Sequence, residues 1–351
     1  MKLFVCTNCG QVLYFENTWC AHCGYHTGLY ANGGNLYALS APNDDAFVHN
    51  GTAYSYCFNY RFGVCNWLVP AGGLCDFCAA CDLNRTIPNL QEPQYREYWR
   101  TIEAAKHRLV YSLLRMHLPL VSKKQDIKKG LCFDFVADEK DKKIFTGHDN
   151  GLVTINIAEA DDIKREMERK NMHEAYRTVS GHLRHEVGHY YWNRLVEHTP
   201  YAVPFITLFG DYTKDYGEAL KRHYVNGAPP GWMHNYISAY ASSHPWEDWA
   251  ETWAHYLHIM DTLETAYYFG LQVKPLPDTT TSMTVEMIND PYNEPGFGKI
   301  ISQWLPLTYA MNSLNRSMGV NDIYPFVIPP PVMQKLLFIH NVCFETKKGH
   351  Y

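Results

Sequence analysis

The chain is short of charge. Only 19% of its 351 residues are Asp, Glu, Lys or Arg, against 46% hydrophobic residues and 26 tyrosines. That balance excludes a disordered, self-repelling polymer and fits a globular protein with a full core. The net charge of −5 gives no overall attraction to nucleic acid. Long apolar runs are missing too: no stretch approaches the roughly 20 residues that a membrane-crossing helix needs. The opening Met1-Lys2-Leu3-Phe4-Val5 is interrupted at once by Cys6, Asn8 and Cys9, so it does not read as a secretory signal. No internal repeat is visible beyond paired cysteine knuckles. A cytoplasmic, reducing location is expected, and the 11 cysteines then point to metal binding rather than disulfides.

Most of those cysteines sit near the start. Cys6-Thr7-Asn8-Cys9-Gly10 and Cys20-Ala21-His22-Cys23-Gly24 are two C-x-x-C-G knuckles. Each turns two thiolates toward one cation, and the glycine permits the tight turn that follows. Four thiolates at this spacing predict a closed, tetrahedral, structural zinc site on Cys6, Cys9, Cys20 and Cys23. A patch of about 25 residues buries too little to fold alone; zinc binding, worth roughly 10–16 kcal/mol in small fingers, supplies the difference. The second cluster holds Cys57, Cys65, Cys75, Cys78 and Cys81, one thiol more than a tetrahedral site takes. Both Cys75–Cys78 and Cys78–Cys81 have knuckle spacing. Small Ala79 and Ala80 suit a tight turn better than Phe77, so Cys57, Cys65, Cys78 and Cys81 are the expected ligands and Cys75 the spare. Buried free thiols are the competing reading. Residues 1–95 carry three basic side chains (Lys2, Arg61, Arg85) and six acidic ones, which argues against phosphate binding. A structural role, or docking of a protein partner, fits better.

Residues 94–118 have helical periodicity in Tyr98, Ile102, Ala105, Leu109, Leu113 and Met116. Lys123, Lys124, Lys128 and Lys129 read as a solvated basic loop. Three strands of a small antiparallel sheet are expected at 133–136, 143–146 and 152–157, with turns at Asp138-Glu139-Lys140-Asp141 and Asp149-Asn150-Gly151. The third could be an edge on which an extended peptide pairs. A long loop is expected over 271–298, where Pro275, Pro277, Thr279-Thr280-Thr281, Pro291 and Pro295 gather, with a place over the active site as one role for it. A last helix is expected from near Pro331.

His185-Glu186-Val187-Gly188-His189 lies in a helix-like run, 176–196. Residues four apart share a helix face, so His185 and His189 can meet one metal ion, with Glu186 beside them as a base for a water proton. A catalytic zinc site takes three protein ligands and an open position. The metzincin spacing would need Gly and His where Trp192 and Leu195 stand, and the aspzincin spacing would need an acid at Thr213. Glu247, in Ser243-His244-Pro245-Trp246-Glu247-Asp248-Trp249-Ala250-Glu251, is the expected third ligand. Pro245 opens a helix on which Glu247 and Glu251 lie one turn apart, among apolar neighbours that demand strong partners for both. Glu251 is expected to hold a ligand histidine by its other ring nitrogen. Glu251 itself, Asp211 and Asp215 remain alternatives as ligand. His182, His198 and His223 read as ordinary polar residues.

Glu-x-x-x-Glu after HExxH resembles the gluzincin pattern of thermolysin-like and lethal-factor-like peptidases. The resemblance implies zinc on the first acid and an orienting role for the second. A tyrosine seven residues before the zinc Glu assists in the lethal-factor-like group, and Tyr240 stands there. A core tyrosine is the competing reading, with His234 and His244 in reserve for the same task. The whole chain is similar to bacterial zinc-binding metallopeptidases that carry an N-terminal zinc ribbon. That similarity rests on the paired knuckles, Cys65-Asn66-Trp67-Leu68-Val69-Pro70, Asn84-Arg85-Thr86-Ile87-Pro88, Thr154-Ile155-Asn156-Ile157-Ala158-Glu159-Ala160-Asp161, and the segments 184–192 and 247–256.

Pattern and resemblance together give an α+β fold. Residues 1–90 form a zinc-ribbon region with two structural zinc sites, and residues 91–351 a mainly helical, zincin-like metallopeptidase domain with a small antiparallel sheet. The expected function is zinc-dependent peptide hydrolysis with one catalytic Zn2+ and a peptide or protein substrate. A catalytically silent scaffold, or a non-peptidase zinc amidohydrolase such as a deformylase, are the alternatives. The latter usually brings a Cys ligand, and Cys132 lacks the surrounding motif.

Overall fold

The computed structural model describes residues 2–31, 34–39, 46–49, 51–139, 143–171, 177–276 and 283–349. By packing, Met1–His173 with Arg177–Leu183 form one compact unit and Arg184–Tyr351 the other. These units and the motif-based regions are different partitions of the chain. The architecture is mixed α+β, with short sheets first and long helices after. Among the described residues no helix is long and apolar enough to cross a membrane.

The first unit opens on very short strands. β1 (Phe4–Val5) pairs with β2 (Val12–Leu13), and β3 (Thr27–Tyr30) with β4 (Asn35–Ala38). β5 (Ala46–His49), β6 (Thr52–Tyr56) and β7 (Leu68–Pro70) make an antiparallel three-stranded sheet. Then β8 (Asn84–Thr86) leads into α1 (Pro93–Arg115). Proline opens α1, where its missing N–H is no loss. Ile102, Leu109 and Leu113 are buried, as the periodicity predicts. Glu103, Lys106 and His107 are buried as well, and Glu103 satisfies this polar stripe. Its Oε1 accepts from Lys106 Nζ at 2.9 Å, Trp99 Nε1 at 3.0 Å and Asn84 Nδ2 at 2.6 Å.

The central sheet departs from expectation. It contains β9 (Cys132–Val136), β10 (Gly147–Asp149) and β11 (Leu152–Asn156), in the order β10-β11-β9-β8. Only β10 and β11 are antiparallel; β11–β9 and β9–β8 are parallel. The expected all-antiparallel sheet is therefore corrected to a mixed one. The hairpin at Asn150 and Gly151 forms as predicted, both residues adopting positive φ (48° and 86°). The expected strand at 143–146 is not one. Asn156 Nδ2 donates to Ile144 O at 2.8 Å and to Asp138 Oδ1 at 2.7 Å, so side-chain bonds hold this segment in place of a ladder. Lys140 and Asp141 of the predicted turn lie outside the described residues. β11 is interior, with β9 and β10 on its two sides, so it is not an edge for a peptide to join. α2 (Asp162–Asn171) and α3 (Val179–Leu195) follow.

In the second unit α6 (Pro245–Tyr268) is the spine, with Trp249, Ala250, Trp253, Leu257 and Met260 all buried. α4 (Ala202–Phe209) and α8 (Pro330–Lys347) pack on it, bringing Phe205, Phe209 and Phe338 against Trp249. α5 (Tyr216–Asn226) is capped by Asp215, whose side chain accepts from Glu218 N at 2.8 Å. α3 meets α6 at Gly188, where a Cβ would lie 3.1 Å from both Ala250 Cα and Trp253 Cδ1. Trp249 Nε1 donates to Gly188 O at 2.8 Å across this contact. Arg184 pairs with Asp261, which also accepts from Tyr292. In the predicted loop 271–298 a small hairpin forms, β12 (Gln272–Val273) with β13 (Val285–Glu286), and packs on α7 (Phe297–Ser317). Pro277 and Thr279-Thr280-Thr281 lie outside the described residues.

Candidate metal centre

The short strands of the first unit leave long loops, and those loops carry two thiol clusters. The ligand atoms of Cys6, Cys9, Cys20 and Cys23 lie within 4.8 Å of one another, and so do those of Cys57, Cys65, Cys78 and Cys81. No disulfide closes either set. Backbone amides turn onto the sulfurs: Trp67 N donates to Cys65 Sγ at 3.3 Å and Cys78 N to Cys57 Sγ at 3.4 Å. Cys75 stands apart and exposed, its thiol turned to Phe77 O at 3.4 Å. Burial and the neighbouring sulfurs hold Cys65 well above the ordinary thiol value, while hydrogen bonds from Cys65, Cys78 and Cys81 hold Cys57 far below it. Four thiols this close ionise together only around a cation, which is the chemistry of a tetrahedral zinc cage. The buried His107 adds a feature that spacing gave no hint of. Its Nε2 lies 3.6 Å from Cys81 Sγ, and its Nδ1 lies 2.7 Å from Glu103 O.

The second unit holds a different arrangement. His185 and His189 project from one face of α3, their rings 4.9 Å apart at 84°. α6 brings Glu247 to them. Its Oε2 lies 3.0 Å from His185 Nε2 and 3.5 Å from His189 Nε2. Glu247 is 1% exposed, and Oε2 has no hydrogen-bond partner among the described residues. A buried carboxylate oxygen aimed between two imidazole nitrogens, without a hydrogen bond, fits a metal ion at the point of convergence.

Surrounding groups fix the donors. His185 Nδ1 donates to Glu251 Oε1 at 2.7 Å, which presents Nε2 to Glu247 and His189. Ser238 Oγ donates to Glu251 Oε2 at 2.6 Å and accepts from Ala241 N at 3.1 Å. Tyr216 OH donates to Glu247 Oε1 at 2.6 Å. Trp246 lies on the His189 ring, centroids 3.8 Å apart. Burial opposes charge on His185, yet Glu247 and Glu251 outweigh it and hold its pKa well above the usual value. Burial likewise opposes charge on Glu247, and the two histidines hold its pKa well below the carboxylate range. Cationic charge is what this centre attracts.

The expected residues separate cleanly. Glu251 touches His185 and stays outside the convergent set. Asp211 is turned to Thr213, and Asp215 caps α5. Glu186 lies buried on α3; burial and Glu247 raise the phenol pKa values of Tyr216 and Tyr240, and Glu186 adds a smaller part. The Tyr240 ring is 6.0 Å from that of His185. Burial, reinforced by Glu247, holds its pKa far above the usual phenol value, so it stays a hydrogen-bond donor. His244 has both ring nitrogens engaged: Nδ1 accepts from Trp246 N at 3.1 Å and Nε2 bonds Lys214 O at 3.2 Å. His234 is exposed on a short 3-10 turn. Tyr216, Ser238 and Trp246 are the site residues that sequence reasoning missed. The Asp215-Tyr216-Gly217 turn invited a search for a carboxylate, and nothing in its spacing marks the hydroxyl.

Comparison with known proteins agrees with this geometry. Residues 3–92 match a family described as a zinc-ribbon domain, and residues 95–342 one described as "putative zinc-binding metallo-peptidase". Uncharacterized proteins of Mycobacterium tuberculosis and Mycobacterium bovis are 42% identical over 348 residues, covering 99% of this chain and 96% of theirs. No solved structure matches the chain. With the two histidines, the buried glutamate and the paired thiol clusters in place, the chain belongs to this zinc-binding metallo-peptidase family and carries its zinc ribbon at the N-terminal end.

Proposed function

We propose that the chain is a zinc-dependent peptidase of gluzincin type, with His185, His189 and Glu247 as the ligands of its catalytic zinc. The observation that carries this reading is the convergence of two imidazole nitrogens on a buried carboxylate oxygen that has no hydrogen-bond partner among the described residues. Zinc bound there would supply a water with a pKa near roughly 7 and a positive charge to polarise the scissile carbonyl. The protein's own groups divide the rest of the work. Glu186 accepts the proton of the attacking water and returns it to the leaving amine. Tyr240, kept protonated, donates to the oxyanion that develops on the carbonyl. Glu251, steadied by Ser238, keeps His185 in the tautomer and orientation that ligation needs.

The two cysteine sets are structural zinc sites in this reading, giving about three zinc ions per chain. A reducing, cytoplasmic setting suits eleven free thiols. The ribbon surface is available to dock a protein partner. A silent scaffold is the weaker reading, since shape alone gives no reason for an acid at Glu186 beside the convergent set.

Glu186→Gln tests the proposal. It should keep the zinc content of the wild type and lower the cleavage rate of a broad peptide library by about 10^2–10^4-fold. A wild type that binds its third zinc yet cleaves no peptide favours the scaffold. Cleavage of formyl or simple amide substrates alone favours the amidohydrolase.

A further inference from the structure

We propose that Tyr216 is a positioning residue that holds Glu247 as a one-oxygen donor to the metal. The inference rests on the peptidase reading above and deepens it. The Glu247 carboxylate has two oxygens with different fates. Oε1 accepts the Tyr216 hydroxyl at 2.6 Å, while Oε2 faces His185 and His189 Nε2. With Oε1 engaged, the carboxylate cannot swing to place both oxygens on one cation. Held this way, Glu247 would give a bound zinc one oxygen and leave room for the water and substrate that a catalytic site needs.

Tyr216 is itself held. Asp215 caps α5 and fixes the backbone where the tyrosine emerges. The ring stands edge-on to His244 at 5.3 Å and to Trp246 at 5.5 Å, and Trp246 in turn lies on the His189 ring. One aromatic side chain therefore steadies the glutamate ligand directly and backs the indole that covers a histidine ligand. The hydroxyl that bonds the carboxylate belongs to Tyr216 and not to Tyr240.

Tyr216→Phe is the informative variant. It keeps the ring against His244 and Trp246 and removes only the hydroxyl. Partners that orient a metal ligand typically carry 10–100-fold in metal affinity, so the catalytic zinc should be about 10–100-fold easier to strip in a chelator competition read by zinc content per chain. Tyr240→Phe should leave that competition unchanged. The Tyr216→Phe effect should also vanish when combined with Glu247→Ala, because the group it acts through is gone. The metal-free variant should unfold at the same temperature as the metal-free wild type, which separates positioning from a general loss of structure. Zinc retention within about 3-fold of wild type overturns the proposal, as does an equal loss on top of Glu247→Ala. Failure of the peptidase reading looks different: the wild type would hold zinc in a Tyr216-dependent way and cleave nothing.

Discussion

The thiol clusters and the histidine–glutamate centre solve opposite problems. Each cluster offers four like donors on short loops, with small glycine- or alanine-containing turns between them. A cation held by four thiolates would add to what orders such loops. The second centre offers three donors on two long helices whose packing is provided by Trp249, Trp253, Phe205 and Phe338. Two of these donors have a hydrogen-bonded neighbour that aims them, Glu251 for His185 and Tyr216 for Glu247. In the reading proposed above, the thiol cages serve folding and the aimed triad serves chemistry.

The largest test of that contrast is Cys65→Ser. Losing one cage ligand should lower zinc content from about three to about two per chain and remove stabilisation on the order of 10 kcal/mol from the ribbon, read by limited proteolysis. Full zinc content with unchanged protease resistance would break the contrast. A middle-sized effect is expected at the other centre. Glu251→Ala frees His185 Nδ1 and should weaken the catalytic zinc or slow turnover by about 10–100-fold, with both cage zincs retained. Loss of cage metal in that variant would show that the two kinds of centre are not independent. The smallest effect belongs to Cys75→Ser. Cys75 is exposed and outside the cluster, so metal count should be unchanged and stability should move by less than about 0.5 kcal/mol in a denaturant titration. A drop in zinc would place Cys75 among the ligands after all.

What the sequence made legible was local. Knuckle spacing, the i,i+4 histidines, and a proline followed by two acids one turn apart are short-range patterns, and each has a short-range physical cause. Helix limits followed for the same reason: 94–118 became Pro93–Arg115, and the helix from near Pro331 begins at Pro330. The illegible parts depend on chain closure. β11 pairs with β10, its neighbour in sequence, and also in parallel with β9, while the Asn156 side chain ties down Asp138 and Ile144, and no local pattern announces either the parallel pairing or the tie. Tyr216 reaches Glu247 across 31 positions and His107 approaches Cys81 across 26, distances at which periodicity carries no information.

Gly188 gives the motif a constraint that its consensus leaves out. The fourth position of His185-Glu186-Val187-Gly188-His189 is nominally any residue, yet here its hydrogen atom sits where a methyl would press on the Ala250 backbone. The gauge between the track bearing the imidazoles and the track bearing the glutamate is thus set by the smallest side chain available. Widening it by even one carbon would stretch the bite offered to a cation without altering any of the three groups that grip it.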